Sequence, residues 1–264
     1  MQKIAVCGKG GSGKSVIVRL LAAGVRARGR RMLVVDSDES NTGLHRMLGF
    51  DSPPSPLIGL LGGKQKIEEE IVAEIKAGGS EETLELMRER EEMPVADIPP
   101  EYIFETDDGI KLVTIGKVLM ALEGCACPMG IVSRSFLKKL RLDADEIAIV
   151  DLEAGVEHFG RGVETSVDCV LVIVEPSIDS LEVAEKISEM ATQIEIADVW
   201  VILNKIASEE IAARLVDYLN KRDISVIGII HQDPEIFESC LEGRPIHGRV
   251  AAEDVNKILD FLFP

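Results

Sequence analysis

The sequence predicts an α/β fold: a mostly parallel sheet of seven or eight strands with helices on both faces, in a single domain spanning residues 1–264. Three observations predict it. Short aliphatic runs alternate with helical patterns along most of the chain, the rhythm of strand–helix–strand units. Hydrophobic residues make up 46% of the 264 but aromatic ones only 4%, so the core is aliphatic, as in a sheet buried on both faces. The first aliphatic run ends on glycines and leads straight into a helical pattern.

Taken in order, "KIAVC" (3–7) is a buried strand, and Lys14 to about Arg28 a helix closed by Gly29. "MLVVD" (32–36) is a second buried strand. The alternation then breaks. "DSPPSPLIGLLGG" (51–63) is a Pro/Gly-rich connection, and 64–77 and 80–93 read as two glutamate-rich surface helices. Together they suggest an acidic helical insertion over about 51–100. Residues 102–116 read as an edge hairpin turning at Asp108-Gly109. Beyond residue 131 the rhythm returns, with a helix at about 132–140 and strands at 147–151, 169–176, 198–205 and 224–230. Helices are expected at about Ser180–Ile194, Glu209–Leu219, 234–242 and 251–262.

Bulk properties bound the function. Lys plus Arg is 29 and Asp plus Glu is 46, a net charge of −17. Such a surface repels nucleic acid and anionic membrane, so neither is an expected partner. The charge suits solubility or a docking face for a basic partner. Five cysteines, an odd number, form no secreted-type framework, and the chain enters a strand pattern at once, without a signal peptide. No apolar run approaches the roughly 18 residues that cross a bilayer. A cytoplasmic location is expected.

"GKGGSGKS" (8–15) carries the chemistry. It contains a dinucleotide fingerprint (Gly8, Gly10, Gly13), for which Asp36 could serve as the distal acid. It also contains G-x-x-x-x-G-K-S, the triphosphate P-loop. Lys14-Ser15 decides for the P-loop: backbone N–H groups wrap phosphates, the lysine reaches the β/γ oxygens, a hydroxyl binds Mg²⁺, and the helix N-terminus faces the anion. The expected nucleotide contacts are Gly8, Lys9, Gly10, Gly11, Ser12, Gly13, Lys14, Ser15 and Val16. Lys9, at the second loop position, can point across the phosphates toward a neighbouring subunit and act in trans, which demands a two-fold dimer. An ordinary solvated lysine is the alternative.

"KGGSGKS" resembles the deviant Walker A motif of the nitrogenase iron protein/MinD/ParA group of dimerising P-loop ATPases. "VVDSDESN" (34–41) is similar to its switch I, "DLEAGVEHFGRG" (151–162) to switch II, "LNK" (203–205) to the adenine-side Asn-Lys motif, and 229–246 to the base-stacking segment. Asp36 and Asp38 lie two apart at a strand end, so both point to one side. Asp36 would help hold the Mg²⁺ water shell, and Asp38 would orient or deprotonate the attacking water, alongside Lys9 and Lys14 as catalytic groups. Asp151 and Ser15 complete the magnesium set. Gly155 could offer its N–H to the γ-phosphate, and Asn204 and Lys205 would serve the adenine side. Acids at strand ends are also common helix caps.

"EGCACPMG" (123–130) is the second informative stretch. Pro128 biases Cys127 to an extended backbone, so both thiols of Cys125 and Cys127 should face one way. A tetrahedral site wants four ligands. Two copies across a two-fold axis supply four thiolates, and ligand type leaves Ni²⁺ and Zn²⁺ open. Together with "DSDESN" and the Glu-Ala-Gly-Val-Glu-His string, this resembles the CooC-type ATPases, accessory proteins for nickel insertion into carbon monoxide dehydrogenase. That resemblance implies ATP hydrolysis to ADP, an ATP- and metal-dependent homodimer, metal at Cys125 and Cys127, and a client metalloenzyme, carbon monoxide dehydrogenase. Rival readings are an ATP-dependent positioning or partition switch of the MinD/ParA kind, an iron–sulfur electron-transfer ATPase, and a small-molecule ligase or kinase of the same superfamily. The first two fit poorly: the tail 250–264 has an apolar face but one lysine, and 151–162 contains no cysteine.

Overall fold

The computed structural model describes residues 1–78, 92–117, 127–160, 162–196 and 198–264. Strand β1 (Lys3–Gly8) leads through the glycine loop into α1 (Lys14–Ala27), then β2 (Arg31–Ser37) and the short α2 (Leu44–Leu48). A 3₁₀ turn at Leu57–Leu61 precedes α3 (Lys64–Lys76). Next come β3 (Met93–Pro94), β4 (Phe104–Glu105), β5 (Ile110–Thr114), α4 (Cys127–Lys139), β6 (Leu140–Arg141) and β7 (Glu146–Leu152). The chain ends with α5 (Glu157–Gly160), β8 (Cys169–Val174), α6 (Ile178–Gln193), β9 (Val199–Ile206), α7 (Glu209–Asn220), β10 (Val226–His231), α8 (Pro234–Glu242) and α9 (Arg249–Leu262).

The main sheet has eight strands in the order β10-β9-β8-β1-β7-β2-β5-β4. All neighbours run parallel except the edge pair β4–β5. The fold class is therefore the one expected. β1 is central, and the chain leaves it for β2 on one side and returns to β8 on the other. Ligand crevices form at the carboxyl ends of strands around such a reversal.

Each strand is apolar without alternation because both faces are covered. In β1, Ala5 and Cys7 join the core beneath α4, α6 and α7, while Ile4 and Val6 join the one beneath α1, α2 and α9. Fully burying each such side chain stabilises the fold by about 1.5–3 kcal/mol. In α9, Ala251, Val255, Ile258, Leu259 and Leu262 are buried in the core, while Val250 and Phe261 stay exposed. No helix among the described residues is long and apolar enough to cross a membrane.

Three expectations change. The helix expected at 132–140 begins at Cys127, because Pro128 sits in its first turn, where a missing N–H costs nothing. The backbone at Cys127 is therefore helical, not extended. Of the glutamate-rich pair, α3 buries Ile67 and Ile71 and leaves its glutamates largely in solvent. Most of the second, 79–91, lies outside the described residues, and Met93 instead pairs with Leu140 in the small β3–β6 sheet.

Phe136 of α4 is fully buried at the centre of the larger core. Phe136→Ala should lower unfolding stability by about 3–5 kcal/mol in urea titration; a loss under about 1 kcal/mol would contradict this packing.

Candidate functional site

The loop between β1 and α1 is built from backbone shapes that side chains resist. Gly8, Gly11 and Gly13 have φ of 136°, 82° and 97°. A Cβ on Gly8 would lie 2.4 Å from the Ile173 carbonyl oxygen, and one on Gly13 2.4 Å from Asn204 Nδ2. Glycine is the residue that fits both demands. α1 starts with no side-chain cap and no acid in its first turn, so its leading N–H groups face the loop's concavity uncapped. Gly10 and Ser12 lie in the same loop, and Val16 is half-buried in the first turn of α1. Lys14, 6% exposed, donates to the Lys9 carbonyl at 3.4 Å.

Parallel register brings the acids together. Asp36 of β2 pairs directly with Asp151 of β7, which pairs on its other side with Val6 of β1. Asp151 is fully buried; its Oδ2 accepts a 2.6 Å bond from Ser15 Oγ, and its Oδ1 has no hydrogen-bond partner. Burial, then the neighbouring Asp36 charge, pushes the Asp151 carboxyl up to about 7. Burial raises Asp36 to about 6 against the opposing pull of Lys117, whose ammonium lies 2.7 Å away. Asp38 is also buried, and its Oδ1 accepts from the Ser40 N–H, the Ser40 hydroxyl and the Asn41 N–H. Asn41 Nδ2 in turn donates to Ser15 Oγ at 2.6 Å.

The remaining residues close the rim, several in arrangements the sequence did not suggest. Lys9, read as pointing outward, instead lies 3.3 Å from Glu175 and 3.8 Å from Asp179 of its own chain. Glu175 also pairs with Lys205 at 2.9 Å, and Lys205 donates to the Gly11 carbonyl. Asn204, read as an adenine partner, donates its amide N–H to the Ser12 carbonyl at 2.8 Å. The Gly155 N–H, read as a γ-phosphate donor, is donated to the Gly8 carbonyl at 3.1 Å. His158 Nε2 lies 3.0 Å from the Gly155 carbonyl. Cys125 lies outside the described residues, and Cys127 opens α4.

Every other sequence-derived site residue thus meets at one sheet edge. Sequence reading missed Lys117, Glu175 and Asn41 as partners. Glu175 immediately follows β8, Lys117 stands three residues past β5, and Asn41 is the last residue of the switch I-like motif.

A family model, the CobQ/CobB/MinD/ParA nucleotide binding domain (CbiA), matches residues 3–246. The chain belongs to this family. It is a P-loop ATPase. An uncharacterized ATP-binding protein of Methanocaldococcus jannaschii is 40% identical over 97% of this chain and 99% of its own length. The carbon monoxide dehydrogenase accessory protein CooC of Rhodospirillum rubrum is 34% identical over 84% of this chain and 81% of that protein. Among solved structures, the septum site-determining protein MinD complexed with Mg-ADP from Pyrococcus horikoshii OT3 superposes with a TM-score of 0.68. At 18% identity, covering 99% of this chain and 96% of that one, it shares the fold.

The two raised carboxyls keep their protons in the folded chain where an unfolded chain, titrating near 3.8, has lost them. They therefore favour folding fully below that value, and the advantage disappears as pH rises through about 6 and 7. The thermal midpoint of nucleotide-free Asp151→Asn, relative to wild type, should accordingly be higher at about pH 8 than at about pH 5. An equal difference at both pH values would contradict the assignment.

Proposed function

We propose that this protein is an ATP-hydrolysing metallochaperone whose nucleotide-driven homodimerisation assembles a metal site from Cys125 and Cys127 of both copies, serving nickel insertion into carbon monoxide dehydrogenase. The observation that carries this reading is the 34% identity to a carbon monoxide dehydrogenase accessory protein along 84% of the chain. The Cys-x-Cys spacing of Cys125 and Cys127 supports it. The transferred ion, Ni²⁺ or Zn²⁺, is cargo, and thiolates suit either.

Magnesium fits the nucleotide site on one specific ground: the buried, unpartnered Oδ1 of Asp151 beside the Ser15 hydroxyl and the Asp36 carboxylate. Ser15 would hold the ion, with Asp36 and Asp151 on its water shell. When bound, it neutralises charge on the phosphate oxygens.

The chain's own groups divide the remaining work. The backbone of Gly8–Ser15 cradles the phosphates, and Lys14 leaves the Lys9 carbonyl for the β/γ oxygens. Asp38 orients the attacking water through the carboxylate oxygen not held by Ser40 and Asn41. Gly155 exchanges the Gly8 carbonyl for the γ-phosphate, drawing switch II with it. Lys9 exchanges Glu175 for the partner copy's triphosphate, which makes hydrolysis depend on the dimer. Asn204 and Lys205 flank the base while bracing the loop.

Cys125→Ala combined with Cys127→Ala should abolish stoichiometric nickel and zinc binding, measured by metal analysis of gel-filtered protein, and leave ADP affinity within about twofold of wild type. Retained metal would sink the chaperone reading. Lys9→Ala should lose ATP-dependent dimerisation in light scattering and lower turnover by about a hundredfold or more while still binding ADP. Normal turnover by a monomer would refute catalysis in trans.

A further inference from the structure

Beside the acids lies a lysine that none of the nucleotide motifs contains. Lys117 follows the carboxyl end of β5 by three residues, and the sheet determines what it meets. Thr114 pairs with Asp36, and the Ile115 N–H donates to the Asp36 carbonyl at 2.9 Å. The chain therefore leaves β5 alongside residues 36–41. The Lys117 ammonium sits 2.7 Å from Asp36 Oδ1 and 2.5 Å from the Asp38 carbonyl oxygen, and it also donates to the Asn41 carbonyl. An ammonium has three protons. All three go to one short segment, and the side chain is only 10% exposed.

The same segment faces the nucleotide loop through its other contacts. Asp38 caps the turn at Ser40 and Asn41, and Asn41 Nδ2 donates to Ser15, which donates to Asp151. Ser37, between the two acids, donates its hydroxyl to Ser133 of α4 at 2.7 Å, with both residues buried. The acids are thus gripped from two sides, by a cation from β5 and a hydroxyl from α4.

We propose that Lys117 is a positioning residue of the ATPase reaction: a three-donor cation that shapes residues 36–41 so that Asp36, Asp38 and Asn41 reach the nucleotide site together. It acts through those residues, with no proton left over for phosphate. The inference rests on the assignment of Asp36 and Asp38 to the metal and the attacking water. Removing the ammonium leaves two carbonyls and a buried carboxylate short of a partner, and the turn loses its shape. Arginine is no substitute, because a planar fork cannot converge on three acceptors gathered around one point.

The test uses the full chain with Lys117→Ala and Lys117→Arg. Both variants should bind ADP within about twofold of wild type and turn over Mg-ATP about tenfold more slowly or worse. In nucleotide-free Lys117→Ala, amide hydrogen exchange should rise at residues 38–43 and stay unchanged in β1, β7 and β8. Propylammonium, which replaces the missing arm, should restore turnover to Lys117→Ala, whereas tetramethylammonium should not. If Lys117→Ala does not fold, Lys117→Arg carries the kinetic test by itself. Turnover within about threefold of wild type in either folded variant, unaltered exchange at 38–43, or no rescue by propylammonium overturns the proposal. Wild-type turnover in both Asp36→Asn and Asp38→Asn overturns the underlying assignment and the proposal with it. Normal Lys117 variants beside inactive Asp variants overturn the proposal alone.

Discussion

Carboxylates crowded at one edge of a parallel sheet are the constraint on which this molecule turns. In-register pairing of β2 with β7 holds Asp36 against Asp151, and Asp38 stands two residues further along. Taking such charges out of water costs several kcal/mol per ion unless other groups compensate. Lys117, Ser15, Asn41 and the backbone of residues 40 and 41 supply part of that compensation. The unpartnered oxygen of Asp151 marks where compensation is missing.

The rim follows a similar logic. Groups that could meet a nucleotide are each engaged by a nearby substitute: Gly155 by the Gly8 carbonyl, Lys9 by Glu175, Asn204 by the Ser12 carbonyl. The Lys9 and Lys205 pairs with Glu175 are partly exposed, and ion pairs of that kind contribute at most about 1 kcal/mol. They hold the loop in shape yet yield readily to a triphosphate. Under the proposed function, nucleotide binding is an exchange of these partners, which would couple switch II to the P-loop.

The sequence announced the frame better than the wiring. Aliphatic runs marked β1, β2, β7, β8, β9 and β10, because a strand buried on both faces has no polar alternation to obscure it. The P-loop was legible because its glycines answer local steric demands. Lys117 was not, since its importance depends on β5 lying beside β2, a tertiary fact that no spacing encodes. Glu175 was hidden for the same reason: its partners lie 166 and 30 residues away. Pro128 misled because a proline that favours extension before it can equally occupy a first helical turn.

Cys7 is the penultimate residue of β1, next to the phosphate loop, and burial pushes its thiol up to about 12; Cys169, on the adjacent strand, is raised to the same level. At neutral pH both sulfurs are protonated and shielded, so they are poor nucleophiles toward alkylating reagents and peroxide. The glycine loop above them is thereby insulated from thiol chemistry in its surroundings. Fluorophores or spin labels delivered as maleimides will accordingly spare the sheet, opening a spectroscopic view of the molecule that leaves its phosphate cradle unmodified.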